Sequence, residues 1–290
     1  MRPWLIAARP PTLLASVAPV IAGCGLAMSD GVFRLPVFAA TLAAAVLLNL
    51  AANFANDASD AARGADTSAR IGPPRAVATG LLTSRQVWTA TAVTIGLAAA
   101  CGVYLALTAG WIIIAIGVAS VLALLTYTGG PAPYGYRAMG ELSVFAFFGP
   151  VAVVGSRFVH DASAPIAAWL LAIPIGFVAT AILVANNVRD IDTDRAAGKK
   201  TLAVVIGRSA TRRLYATLIL GAFATATVTA AFGWIPRWCL LVVVALPLAV
   251  KPLRIVATES AGGPLVTALK ATARLHAVVG LLLGIGAALG

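Results

Sequence analysis

From Gln86 to Tyr136 the chain carries no Asp, Glu, Lys or Arg. Such a segment cannot stay in water, and it exceeds the run of about 20 apolar residues that one bilayer-crossing helix needs. Ala109-Gly110 is the natural break within it. The same signature recurs along the chain, giving nine expected spans near residues 11–29, 36–56, 86–107, 111–127, 140–158, 165–187, 214–233, 237–254 and 267–288. The 290 residues are 60% hydrophobic and 11% charged, with mean hydropathy +0.95. A soluble domain does not hide that much apolar surface. The expectation is an all-α, polytopic membrane protein, a single domain over residues 1–290.

The N-terminus imitates a lipoprotein signal, with Arg2 and Arg9 ahead of an apolar run ending in Ile21-Ala22-Gly23-Cys24. Pro10 and Pro11 interrupt the usual order and many spans follow, so this run reads as the first span. Cys24, Cys101 and Cys239 all lie in apolar runs, with no CxxC or Cys/His spacing, and read as packing residues.

A net charge of +11 would suggest nucleic acid in a soluble chain. Here it reads as cytoplasmic loop charge. With the N-terminus inside, all of the 21 Lys and Arg residues except Arg34, Arg157 and Arg237 fall in inside segments. That asymmetry predicts a cytoplasmic-membrane protein with a cytoplasmic N-terminus and an external C-terminus. Two inside segments, 57–85 and 188–213, read as long polar loops, and loops of that length are commonly functional.

The chain has only ten acidic residues, and most crowd into those two segments. The first cluster is Asn56-Asp57-Ala58-Ser59-Asp60, followed by Asp66. The second is Asn187-Val188-Arg189-Asp190-Ile191-Asp192-Thr193-Asp194. Carboxylates are costly beside hydrocarbon and repel one another at helical spacing. If the helices continue through these segments, Asn56 and Asp60 share one face, as do Asp190 and Asp194. Oxygen donors without Cys or His select magnesium, which keeps waters and bridges to phosphate. Asn56, Asp57, Asp60, Asp190 and Asp194 are therefore the expected metal ligands. Arg70, Arg75, Lys199 and Lys200 lie near them and suit phosphate oxygens. Glu141 is expected to pair with Arg137, while His160 and Asp161 read as solvated and His276 as packed.

Asn-Asp-x-x-Asp with a later Asp, then Asp-x-x-x-Asp four spans on, resembles the UbiA superfamily of intramembrane prenyltransferases. Trp4 to Pro10, Asn53 to Asp66, Arg70 to Pro73 with Arg75, Tyr127 to Arg137 and Asn186 to Lys199 resemble its menaquinone branch. The resemblance implies a helical bundle with a central cavity, Mg2+ held by Asn56 and Asp60 opposite Asp190 and Asp194, and a polyprenyl diphosphate donor. It implies 1,4-dihydroxy-2-naphthoate as acceptor and membrane lipid around the prenyl tail; neither nucleic acid nor an obligate protein partner is expected. Asp60, Asp66, Asp190 and Asp194 become the catalytic candidates, with Asp66 for a metal-bound water or a proton. Arg70, Arg75, Asn187 and Lys199 become diphosphate or substrate contacts, and Tyr127 and Tyr134 are placed near the acceptor. The ubiquinone branch carries a lysine in the loop after the fourth span; here only Arg137 stands there, and it is assigned to the diphosphate by position. Rival readings are a different acceptor such as 4-hydroxybenzoate, a phosphatidyl-alcohol transferase, and a cation transporter. Transporter sites lie near the bilayer midplane, whereas these acids lie at one surface.

Overall fold

The computed structural model describes residues 2–65, 72 and 74–290. A short helix α1 (Arg2–Ala8) breaks at Arg9, whose backbone is left-handed at φ 50°. Pro10 disfavours the right-handed helical conformation at Arg9 and then opens α2 (Pro10–Ser29), as proline does in a first helical turn. Next come α3 (Leu35–Ala62), α4 (Ser84–Ala109) and α5 (Ile112–Thr128). Thr83 and Gln86 form a reciprocal capping box at the start of α4. Gly110, at φ 100°, makes the break that separates α4 from α5.

The segment from Gly140 to Phe158 is α6 (Gly140–Ala146), a π-turn over Phe147–Val151 and α7 (Ala152–Phe158). Pro150 lies inside that turn. It has no N–H to donate, and the wider register accommodates the lost bond. Then follow α8 (Ile166–Ala196) and α9 (Leu202–Ala231), the latter kinked at Gly207 where φ is 78°. A 3-10 segment, Arg237–Ala245, leads into α10 (Leu246–Thr258), and α11 (Gly262–Ala288) completes the bundle. Among the described residues, eight helical segments are long and apolar enough to cross a membrane. The expected fourth span, α5, is a shorter apolar helix of 17 residues.

The two polar segments read as loops contain much more helix than expected. α3 runs for 28 residues and α8 for 31. At 1.5 Å per residue these are about 42 and 46 Å long, against roughly 30 Å of hydrocarbon. The surplus carries both helices through the acidic clusters. Residues 188–196 belong to α8, and α9 already begins at Leu202. Polarity marked where the bilayer ends, not where the helices end.

Apolar side chains gain little from burial when lipid is the alternative, so membrane helices associate through close packing. α2 packs along α11 at Gly25, where an added Cβ would lie 2.3 Å from the Gly284 carbonyl oxygen. α8 is the central helix, burying Leu171, Ile175, Val184 and Val188 with Ile219 of α9 and Leu275 and Leu283 of α11. Tyr215 and Thr272 are hydrogen-bonded at 2.7 Å within that core. α2 touches α3 and α7 as well as α8 and α11, and so links the α3–α4–α5 group to the α8–α9–α11 group.

The end of the bundle away from the acidic clusters is fastened by ions. Arg157 is buried and binds Asp30 at 2.7 Å and Asp161 at 2.6 Å. His160 and Asp161 were expected to be solvated. Instead His160 is only 3% exposed, stacks on Phe33 and accepts the Arg34 N–H at 3.1 Å. Burial and the charges of Arg34 and Arg157 push its imidazole down to about 4. His276 is packed as expected, fully buried with Nε2 3.2 Å from the Ala15 carbonyl.

Candidate active site

The first cluster sits on the last turns of α3, where Asp57, Ser59 and Asp60 are all buried. Their roles diverge because side chains of neighbouring helical residues point in different directions. The Asp57 carboxylate accepts the backbone N–H groups of Ala76 at 3.0 Å and Val77 at 3.2 Å. Both of its oxygens, expected at a metal, are instead taken by the turn at Ala76 and Val77 within the first polar segment. Asp60 instead gathers side chains: Arg75 Nη2 at 2.9 Å, the Tyr136 hydroxyl at 2.6 Å and Lys199 Nζ at 3.6 Å. Asn56 Oδ1 accepts the Thr128 hydroxyl at 2.9 Å, tying α3 to the end of α5. Arg63 secures the same junction, donating to the carbonyls of Thr128 and Gly130.

The second cluster sits on the last turns of α8. Arg189 is buried and donates to both oxygens of Asp190, at 2.6 Å from Nε and 2.5 Å from Nη2. Nη2 also donates to Asn186 Oδ1 at 2.8 Å. A planar guanidinium matches a carboxylate in this two-point geometry and fixes its orientation. Asp192 points away, exposed and paired with Arg208 at 3.0 Å. The Asp194 carbonyl accepts the Lys199 N–H at 2.8 Å, folding the chain back beside the cluster.

Two loops join the clusters. The loop after α5 carries a short 3-10 turn over Tyr134–Tyr136, and its Tyr136 carbonyl accepts the Lys200 N–H at 3.1 Å. Lys199, anchored behind the second cluster, lies over the Tyr136 ring at 4.7 Å and reaches Asp60 on the first. Tyr127 of α5 interacts electrostatically with Glu141, Tyr134, Asp60 and Asp194, so it stands where both clusters and α6 converge. Tyr134 meets the Tyr127 ring edge-on at 5.3 Å, and its hydroxyl is taken by the Ala123 carbonyl and Ser143. Burial pushes the Tyr134 phenol above its usual range, and the Ser143 hydrogen bond offsets part of that.

The structure therefore brings together Asp60, Arg75 and Lys199 and places Tyr127 beside both clusters. Asp66 and Arg70 lie outside the described residues. Arg137 is exposed and forms no ion pair among the described residues. Its expected partner, Glu141, is buried and accepts instead from Asn187 Nδ2 at 2.9 Å. That pairing follows from geometry, because α6 packs against α8 while the Arg137 side chain turns out to solvent. Tyr136, Arg189 and the Glu141–Asn187 pair are additions to the expected set. The signal for Arg189 was a basic residue inside an acidic helical repeat. Tyr136 had only its place between two candidates.

The donor set fits a divalent metal shared with a ligand. Asn56, Asp60, Asp190 and Asp194 offer oxygen alone. Among the described residues no three His, Cys, Asp or Glu side chains converge to form a cage. Magnesium needs no such cage, since one or two carboxylates suffice when phosphate and water complete the octahedron.

A model of the UbiA prenyltransferase family matches residues 16–288. Two solved structures share the fold with little sequence identity. A UbiA homolog from Archaeoglobus fulgidus bound to DMAPP and Mg2+ superposes with a TM-score of 0.66 at 16% identity, covering 97% of this chain and 98% of that one. A UbiA homolog from Aeropyrum pernix K1 gives 0.68 at 17% identity over 94% and 96%. The chain belongs to the UbiA prenyltransferase family. Among named relatives, the 1,4-dihydroxy-2-naphthoate octaprenyltransferase of Mycobacterium tuberculosis is 40% identical over 271 residues, 93% of this chain and 91% of the relative. The enzyme of the same name from Escherichia coli is 37% identical over 264 residues, 88% and 85% of the two chains.

Proposed function

We propose that this protein transfers a polyprenyl group from polyprenyl diphosphate to 1,4-dihydroxy-2-naphthoate, with loss of the carboxylate, to give demethylmenaquinone. It works as one domain over residues 1–290, in the cytoplasmic membrane, with the N-terminus and both acidic clusters on the cytoplasmic side and the C-terminus outside. The observation that carries the reaction type is Asp60 held between Arg75, Tyr136 and Lys199, together with a second carboxylate, Asp190, oriented by Arg189. Kinship to the naphthoate octaprenyltransferases carries the acceptor.

Asn56 and Asp60 on α3 and Asp190 and Asp194 on α8 would hold the metal, with Mg2+ the ion their oxygen chemistry favours. The metal supplies charge neutralisation to the diphosphate leaving group. Arg75 and Lys199 sit where they would exchange a carboxylate partner for phosphate oxygens, and the sequence resemblance assigns Arg70, Arg137 and Asn187 to the diphosphate or substrate as well. Asp57 holds the loop that presents Arg75. Tyr127 and Tyr134 wall the side towards the acceptor. The prenyl tail lies between helices in contact with lipid. Donors fixed before the reaction cost no reorganisation as charge develops on the leaving group, and excluding water protects the allylic cation until the ring attacks.

The test is prenyl transfer by the purified protein in detergent, with Mg2+ and a long-chain polyprenyl diphosphate. Dihydroxynaphthoate and 4-hydroxybenzoate are supplied in parallel, with an Asp60→Ala, Asp190→Ala control. Product from naphthoate alone, lost in the control and without Mg2+, is the expected result. Product from 4-hydroxybenzoate instead overturns the acceptor, and no product from either overturns the reaction.

A further inference from the structure

Glu141 is a buried carboxylate with no cation paired to it among the described residues. Among the described residues its one side-chain partner is Asn187 Nδ2, at 2.9 Å. A buried acid without a counter-charge is costly, and acids at membrane depth are kept for function. Asp60 answers that cost with Arg75 and Lys199, Asp190 with Arg189, and Asp57 with two backbone N–H groups. Among the described residues Glu141 has no cation and only the Asn187 amide.

Its position supplies the reason. Asn187 precedes Asp190 by three residues on α8, and α8 runs towards the face that bears the clusters. The Asn187 level is therefore about 4.5 Å from Asp190 on the membrane side. A diphosphate at the clusters with its tail in the bundle puts its allylic carbon near that level, and the attacking ring beside it. The Tyr127 hydroxyl is a close neighbour of the start of α6. It interacts with Glu141 as well as with Asp60 and Asp194, and a Cβ on Gly140 would lie 3.1 Å from it.

We propose that Glu141 binds the aromatic acceptor and takes the proton of the ring hydroxyl adjacent to the attacked carbon. This rests on the acceptor reading above. The hydroxyl O–H breaks, its proton passing to the Glu141 carboxylate and its electron pair into the ring. The ring carbon bearing the carboxylate bonds to the allylic carbon, and the allylic C–O bond breaks, diphosphate leaving with that pair. The ring carboxylate then departs as CO2, its electrons restore the aromatic ring and its oxyanion, and Glu141 returns the proton to that oxygen. Asn187 is a positioning residue that holds the carboxylate towards the ring.

Glu141→Gln keeps an oxygen for Asn187 but cannot take the proton. Turnover with dihydroxynaphthoate is expected to fall at least about 100-fold, the range of a general base. Binding of a non-reactive prenyl thiodiphosphate should stay within about twofold of wild type, which also shows the variant is folded. Ring-fluorinated dihydroxynaphthoates, with more acidic hydroxyls, should recover part of the loss. Turnover within threefold of wild type overturns the proposal, and so does an equal loss with every acceptor. An acidity-dependent recovery in Asp66→Asn but not in Glu141→Gln assigns the proton to Asp66 and also overturns it. Wild-type enzyme inactive on naphthoate overturns the acceptor reading itself, a result distinct from an active wild type with an unaffected variant.

Discussion

The Tyr136 hydroxyl donates a 2.6 Å hydrogen bond to Asp60, and the Lys199 ammonium lies 4.7 Å over the Tyr136 ring while approaching the same carboxylate at 3.6 Å. One aromatic side chain thus sets the distance between an acid on α3 and a base behind α8. Tyr136→Phe keeps the ring for Lys199 and removes the hydrogen bond. A hydrogen bond to a charged group contributes about 1.5–3 kcal/mol, so kcat/KM for the prenyl diphosphate should fall about tenfold or more. Tyr136→Ala should fall further. Steady-state kinetics decide it, and equal activity of wild type and Tyr136→Phe would remove Tyr136 from the site.

Arg189 grips both oxygens of Asp190. Lysine cannot reproduce that two-point geometry. Residues that orient metal ligands typically affect metal affinity 10- to 100-fold. Arg189→Lys should therefore shift the Mg2+ concentration for half-maximal turnover upwards by about tenfold, with saturated turnover recovered in large part. An unchanged Mg2+ titration would show that Asp190 needs no guide.

Gly25 meets the Gly284 carbonyl so closely that any side chain must part α2 from α11. Gly25→Leu should lose monodisperse protein in detergent, and what remains should melt several degrees lower. Gly102, with open space around its Cβ position, is the control site, and Gly102→Ala should melt like wild type.

His160 gives the fold a pH dependence. Its folded-state pKa lies near 4 because burial and two arginines oppose the charged ring, whereas an unfolded histidine titrates near 6.5. Between those values the unfolded chain binds more protons than the folded one. Stability therefore rises with pH across that window and is lost on acidification from about 6.5 towards 4. Melting temperature in detergent should drop over this range, and His160→Asn should flatten the drop. Asp161, held below its usual range by Arg157, acts in the same direction at lower pH.

Sequence periodicity made the membrane class and the paired oxygen donors legible. The Asn56–Asp60 and Asp190–Asp194 spacing has meaning only on a helix, and both stretches are helical. The helix ends were misjudged because hydropathy reports the edge of the hydrocarbon, and α3 and α8 outrun it. Glu141 was matched with Arg137, four residues away, because sequence shows local pairs. Its partner is Asn187, on another helix. Tyr136 and Arg189 escaped notice for the same reason, since their roles depend on Asp60 being brought to the 129–139 loop and on a guanidinium turning back along its own helix. His160 looked solvated because its segment is polar, yet Phe33 and Arg34 arrive from another part of the chain to cover it.

On the proposed function, the surplus length of α3 and α8 decides where two unlike molecules would meet. A polyprenyl chain partitions into oil, and a charged naphthoate partitions into water. Raising the acidic turns just past the hydrocarbon lets each arrive from its own phase and leave without crossing the other. The catalyst is in effect a fixed point on the interface, and its rate should track the amount of lipid donor per unit membrane area rather than its bulk concentration.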